Sequence, residues 1–437
     1  MLLPIPEMSL VILIGASSSG KSTFARRHFQ ATEILSSDQC RALVCDDETN
    51  QKVTQDAFEI LHLIAAKRLV QRRLTVIDAT NVQATARQPL LQLARRYHYP
   101  SVALVFNIAE VYCQQRHQQR FDRSFEPTVI QQQLRDLEQS LTQLKPEGFQ
   151  EIFIFKSPAE VEAVHIERIP LSNNLRHHSG PFDIIGDVHG CFDELWTLLQ
   201  QLGYRLEHYQ TTDLSQPQYR VNHPQGRQVI FLGDVVDRGP KIPAVLRLVM
   251  DMVAEGSALC LLGNHEVKLA RQLAGKNVQL THGLAESVHQ LARTSLAFKA
   301  QVRAFIDHLI EHYVLDQGQL VVAHAGLPAG LQGRVSGRVR ACAVYGQTTG
   351  QADAWGLPVR ENWAATYRGR ALVVYGHTPV AEAQWFNHTL CIDTGCVFGG
   401  QLTALRYPET ELVAVPARTH DYQTFKSWLS EKPLTDS

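Results

Sequence analysis

Between residues 10 and 165, short apolar runs alternate with longer stretches of mixed polarity. The runs SLVILIG, TEILSS, LTVIDAT, SVALVFNI and EIFIFK are six to eight residues long and rich in β-branched and aromatic side chains, a pattern that predicts strands. Helical stretches between them complete the βαβ rhythm of a doubly wound parallel sheet. From Glu110 to about Leu144 the periodicity is helical but broken near Pro127, which predicts two helices able to cover the sheet edge as a lid. The polar, turn-forming segment PLSNNLRHHSGP, Pro170 to Pro181, marks a domain boundary. Beyond it the alternation resumes with FDIIGD, QVIFLGD, ALCLLGN, LVVAHAG, LVVYGH and LCIDTG, each run ending in a polar or ionisable residue. The expected organisation is a first domain over 1–169, a linker over 170–180, a second domain over 181–420 and a tail over 421–437. No repeat of fixed period is present, which excludes a solenoid.

Composition agrees with two globular units, since 437 residues with 44% hydrophobic and 19% charged content can bury a sizeable core. The 42 Lys and Arg nearly balance the 43 Asp and Glu, so no global field holds a long polyanion and a nucleic-acid partner would be gripped locally. The eight cysteines form no CxxC pair, which suits reduced thiols in a cytoplasm. The run Leu10 to Ile14 is too short for a membrane span, and no basic segment precedes it as in a secretory signal. A soluble cytoplasmic protein with no membrane partner is expected.

Candidate chemistry begins at Gly15-Ala-Ser-Ser-Ser-Gly20-Lys21-Ser22, which follows a predicted strand and precedes a predicted helix. That context is the one a GxxxxGK[ST] phosphate cradle requires. Glycines let the backbone wrap closely, amides point at phosphate, Lys21 reaches the outer phosphates and the Ser22 hydroxyl can ligate Mg²⁺. The expected nucleotide-binding residues are Gly15, Ser19, Gly20, Lys21, Ser22 and Thr23, and the cofactor is ATP with Mg²⁺. Asp38 follows the TEILSS run at the carboxyl edge of the sheet, where it is either a base toward an attacking hydroxyl or a helix N-cap. Asp78 either positions Mg²⁺ through water or begins a turn with Asn81. Arg116, Arg120 and Arg123 share one helix face, and a solvated charged face is their alternative.

These residues resemble the kinase module of the bacterial polynucleotide 5′-kinase/3′-phosphatases, the end-healing enzymes of RNA repair, over most of residues 8 to 160. The resemblance implies that Asp38 activates a 5′-hydroxyl, that Arg41 touches the acceptor phosphate, and that the lid arginines Arg116 and Arg120 contact phosphates.

The second half supplies GDVHG, GDVVDRG, GNHE, HAG and GH in that order, bringing Asp187, His189, Asp234, Asp237, Arg238, Asn264, His265, His324 and His377. Each run delivers one or two O or N donors to one sheet edge, and a carboxylate shared between two metals can hold them roughly 3.5 to 4 Å apart. Imidazole with carboxylate suits Mn²⁺, Zn²⁺, Fe²⁺ or Ni²⁺, and the lack of thiolates argues against a structural zinc. The motifs look like the phosphoprotein-phosphatase branch of the binuclear metallophosphoesterases from about 181 to 405. That resemblance implies a first metal held by Asp187 and His189, Asp234 as the bridge, and Asn264, His324 and His377 completing the second metal. It further implies Arg238 as phosphate clamp and His265, oriented by Asp237, as the acid. Asp393 either shapes a turn or joins the site, since the end-healing family carries the same IDTGCVFGG segment.

Together the halves predict an α/β chain, a P-loop NTPase-type domain with helical lid followed by a metallophosphoesterase α/β/β/α sandwich. The resemblance implies phosphorylation of 5′-hydroxyl ends and removal of 3′-phosphate or 2′,3′-cyclic phosphate from RNA or DNA, with two divalent metals, Mn²⁺ foremost. No K-x-D-G motif of a ligase module is present, so sealing would fall to a separate ligase. The alternatives are an ATP-regulated Ser/Thr protein phosphatase and a dinucleoside tetraphosphatase.

Overall fold

The computed structural model describes residues 1–119, 126–208, 213–352 and 358–418. It divides into two compact units, the first from Met1 to Leu171 and the second beginning at Ser172.

All five strands predicted for the first unit form, and they pair in parallel in the order Ile34–Ser36, Thr75–Asp78, Leu10–Gly15, Ser101–Phe106, Glu151–Phe155. The central strand Leu10–Gly15 is buried throughout because both of its faces are covered. Leu10, Ile12 and Ile14 join one apolar cluster while Val11 and Leu13 join another, as the two-residue period of a strand requires. Strand order reverses on either side of Leu10–Gly15, so its carboxyl end opens onto the crevice where ligands of doubly wound sheets bind. A further parallel pair, Leu2–Pro6 with His165–Ile169, ties the two ends of this unit together and is not visible as alternation in the sequence. Two helices, Glu110–Gln118 and Pro127–Ser140, stand where the broken periodicity predicts them, with Pro127 in the first turn of the second, where its missing N–H costs nothing.

The second unit is built on two sheets. One has the order Ala258–Cys260, Gln228–Phe231, Phe182–Ile185, Gln401–Tyr407, Glu411–Pro416, the first three parallel and the last two antiparallel. The other has the order Gln384–Phe386, Thr389–Cys391, Leu372–Tyr375, Leu320–Ala323, His312–Leu315, Asn174–Leu175. Phe182, Ile184, Ile230 and Leu405 of the first sheet meet Leu320, Val322, Val374 and Leu390 of the second in one core. Ile185, Val229, Phe231 and Ala404 point the other way, against the helices Phe192–Gln201 and Ile242–Ala254. Asn174–Leu175 falls inside the segment expected to be a linker over 170–180, and pairs in parallel with His312–Leu315 as an edge strand. Its polar, turn-rich composition hides it, because two residues are too few to show a period. Among the described residues no helix is long and apolar enough to cross a membrane.

Candidate active sites

At the carboxyl end of Leu10–Gly15 the chain turns through the loop Ala16 to Gly20 and enters the helix Lys21–His28. Gly20 sits at φ +103°, a backbone conformation that requires glycine, and faces the end of the Arg116 side chain. Arg116 donates from Nη1 to the Ser19 carbonyl at 2.9 Å. Lys21 donates from Nζ to the Gly15 and Ala16 carbonyls at 2.8 and 2.7 Å. The Ser17 amide donates to Gln133 Oε1 at 2.7 Å, so both helices of the expected lid reach the loop. Gln133 is a contact the sequence reading missed, since it lies in a run of three glutamines with nothing to single it out. Thr23 is exposed on the first helical turn.

Asp78 is buried, and its carboxyl accepts a hydrogen bond from Ser22. Burial pushes that carboxyl up from its ordinary range, while the Ser22 bond and the nearby Lys21 charge pull it down. Asp78 therefore faces the cradle, and Asn81 holds the strand instead by donating from Nδ2 to Leu13 O at 2.8 Å. Asp38 is not the helix N-cap. Ser36 takes that position, and Asp38 lies in the first turn of Ser37–Cys45, ion-paired with Arg41. Ser36 pairs in register with Asp78, and Asp38 follows two residues later, so both carboxylates stand at one strand edge. Arg41 also donates from Nε to Glu48 O at 2.8 Å. Arg120 and Arg123 lie outside the described residues.

In the second unit the strand ends converge as the motif order predicts. His189, Asp234 and His265 offer ligand atoms that all lie within 4.8 Å of one another, and so do Asp234, His324 and His377; Asp234 is common to both groups. Asn264 Oδ1 lies 3.1 Å from His324 Nε2, and His377 Nδ1 lies 3.0 Å from the same atom. Asp187 accepts from the His377 amide through both oxygens, at 3.3 and 3.1 Å. His189 and His324 turn Nδ1 toward the carbonyls of Val236 and Leu232, at 2.7 and 3.0 Å. Those bonds fix the rings so that Nε2 faces the centre.

Three buried carboxylates, Asp187, Asp234 and Asp393, meet here. Burial and then the charges of Asp393 and Asp234 push the Asp187 carboxyl well above its ordinary range. Asp393 is pushed up to about 6, chiefly by burial. Burial opposes the charge of Asp234 as well, yet the imidazoles of His324, His265 and His189 hold its carboxyl well below the ordinary range. Such a set of buried anions and imidazole nitrogens is the donor chemistry of a divalent cation pair, and the residues fit one. Asp393 thus belongs to the site and also accepts from the Gly395 amide at 3.1 Å.

Around this centre runs a hydrogen-bond chain. Arg238 donates from Nη1 toward His189 Nε2 at 2.6 Å and from Nη2 toward His265 Nε2 at 3.1 Å, and its guanidinium lies 5.0 Å from the Phe398 ring centroid. His265 Nδ1 is 2.6 Å from Asp237 Oδ2, and the other Asp237 oxygen accepts from the buried Ser287 hydroxyl. His189, Asp234, Asp237, Arg238 and His377 all have positive φ, from 44° to 71°, strained conformations of the kind that cluster at working sites. Glu266 fixes the loop that carries Asp234. Fully buried, it accepts from the amides of Asp234, Val235, Val236 and Gly263 at 2.9, 2.9, 3.3 and 3.0 Å. A Cβ on Gly263 would lie 2.2 Å from Asp234 Oδ1 and 2.5 Å from Glu266 Oε2. Glu266 stands inside the GNHE motif, from which the sequence reading took only Asn264 and His265, and Ser287 on the helix Leu284–Ala292 carried no signal.

This fold and donor set define a metallophosphoesterase, and through its second half the chain belongs to the calcineurin-like phosphoesterase family, whose profile matches residues 180–381. Within that family the chain is 45% identical over 240 residues to the asymmetrical bis(5′-nucleosyl)-tetraphosphatase PrpE of Anoxybacillus flavithermus, covering 94% of that relative and 54% of this chain. It is 42% identical over 240 residues to the protein of the same name from Bacillus subtilis, again covering 94% of it. Both matches concern the phosphoesterase half. An AAA domain profile matches residues 10–144, consistent with the P-loop sheet of the first unit.

Proposed function

We propose that the chain is a bifunctional nucleic-acid end-healing enzyme, in which the first unit phosphorylates 5′-hydroxyl ends from ATP and the second removes 3′-phosphate or 2′,3′-cyclic phosphate. The observation that carries the reading is the place of Asp38, paired with Arg41 and sharing a strand edge with Asp78 and the P-loop. In this reading the P-loop amides, Lys21 and Arg116 hold the phosphates of Mg²⁺-ATP, and Arg41 and Arg120 bind the acceptor. Asp38 accepts the hydroxyl proton as the acceptor oxygen attacks the γ-phosphorus.

In the second unit Asp187, His189, Asp234, Asn264, His324 and His377 would hold two divalent metals, with Mn²⁺ suited to the donors. When bound, such a pair supplies Lewis acidity and water activated at neutral pH. Arg238 orients the phosphate oxygens, and His265 delivers a proton to the leaving oxygen. Asp237, itself held by Ser287, keeps the His265 ring in place. RNA or DNA ends are the partners.

A second reading is favoured by the named relatives: hydrolysis of bis(5′-nucleosyl) tetraphosphates by the second unit. Incubating the protein in parallel with γ-labelled ATP plus a 5′-hydroxyl oligonucleotide and with bis(5′-adenosyl) tetraphosphate, followed by thin-layer separation, decides between them. Label transferred from the γ-phosphate to the oligonucleotide supports end healing. Tetraphosphate hydrolysis with no transfer supports the second reading and removes the first.

A further inference from the structure

The phosphoesterase unit contains a cavity of about 200 Å³ lined by Arg271, Lys276, Arg303 and Arg340 together with Leu262 and Val267. Asp307 pairs with Arg303 at 2.6 Å and Glu311 with Arg340 at 2.9 Å. Two of the four positive charges are thereby offset and two remain. Nothing in the metal centre calls for them.

The cavity is tied to the centre by one helix. Along Asn264–Leu273, residues 264, 267 and 271 fall on a single stripe. Val267 and Arg271 line the cavity, while Asn264 at the head of the stripe contacts His324. At 1.5 Å rise per residue, Arg271 lies about 10 Å along the axis from Asn264. Leu262, at the other end of the lining, is two residues before Asn264. The cationic cavity and the anionic centre therefore stand at two points of one helix, about 10 Å apart along its axis.

We propose that this cavity binds a second phosphate of the substrate whose reacting phosphate occupies the Asp234 centre; the inference rests on the phosphoesterase reading of that centre. Guanidinium groups match phosphate oxygens in pairs, and a reach of about 10 Å along the helix is beyond a simple phosphomonoester. It is within range of a polyanion, either the next phosphates of a nucleic-acid strand or the anhydride chain of a dinucleoside polyphosphate.

The test is the full-length Arg271→Glu, Lys276→Glu double variant against wild type on three substrates: p-nitrophenyl phosphate, a 3′-phosphorylated oligonucleotide and a bis(5′-adenosyl) tetraphosphate. Loss of charge-assisted contacts predicts a fall in kcat/KM of about tenfold or more on a polyanion, carried by KM, with p-nitrophenyl phosphate changed less than about twofold. A fall on the oligonucleotide alone identifies the second phosphate as nucleic-acid backbone; a fall on the tetraphosphate alone identifies it as the anhydride chain; a fall on both assigns the shared chemistry. Unchanged kinetics on both polyanions, or an equal fall on all three substrates, overturns the subsite. If the wild type hydrolyses none of them, the phosphoesterase reading fails instead, and calorimetric binding of inorganic tripolyphosphate, wild type against variant, still decides the cavity.

Discussion

Replacing Glu266 by glutamine removes no side-chain volume but converts one acceptor oxygen into a donor. In the wild type the two oxygens divide four amides between them, Asp234 and Gly263 on one, Val235 and Val236 on the other. Whichever way the new amide is turned, two N–H groups then face an NH₂ in a fully buried position. Each buried N–H left without its acceptor costs about 1 to 3 kcal/mol, so the substitution costs about 2 to 6 kcal/mol, a large share of the ordinary stability of a domain. For a unit of this size that corresponds to a fall in Tm of roughly 4 to 24 °C. Because the same amides set the Asp234 loop, bound metal and phosphatase turnover fall with it, whereas ATP binding by the first unit is retained. Differential scanning calorimetry, metal analysis and ATP titration on purified Glu266→Gln measure all three. A variant with wild-type Tm and full metal content would refute the view that this carboxylate organises the loop.

His265→Ala should keep its metals and slow alkyl phosphates by roughly two to four orders of magnitude, while slowing p-nitrophenyl phosphate less; equal slowing, or lost metal, would show that His265 is not the acid. Asp38→Asn should retain ATP affinity and lose phosphoryl transfer, and weaker ATP binding with near-normal turnover would count against its role as base. Arg87 is fully buried, meets Glu147 at 2.8 and 2.5 Å and holds the Asn81 and Val82 carbonyls at 2.8 Å. Arg87→Ala should therefore destabilise the first unit by about 3 to 5 kcal/mol, and a denaturant midpoint unchanged from wild type would contradict that.

Much of this was legible in sequence because parallel strands buried on both faces read as uninterrupted apolar runs and deliver their polar residues at one edge. That is why the ends of FDIIGD, QVIFLGD and LVVAHAG already pointed to Asp187, Asp234 and His324. The strands Gln401–Tyr407 and Glu411–Pro416 lie beyond the last such edge motif and carry no site residue, so the motif order passed over them. Asp38 illustrates a different limit. Asp is favoured at helix N-caps, and only the backbone shows that Ser36 holds that place and leaves Asp38 to Arg41. Ser287 and Gln133 act through contacts 50 and 116 residues away in the chain, and no local pattern encodes such a pairing.

The proposed pair of phosphoryl sites makes a direct demand on a single oligonucleotide carrying a 5′-hydroxyl and a 3′-phosphate. With γ-labelled ATP and Mn²⁺, the wild type should label the 5′ end and release the 3′-phosphate. Lys21→Ala should abolish only the labelling, and Asp234→Asn only the release. Loss of both activities in either folded variant, or ATP consumed without label reaching the oligonucleotide, would contradict the account.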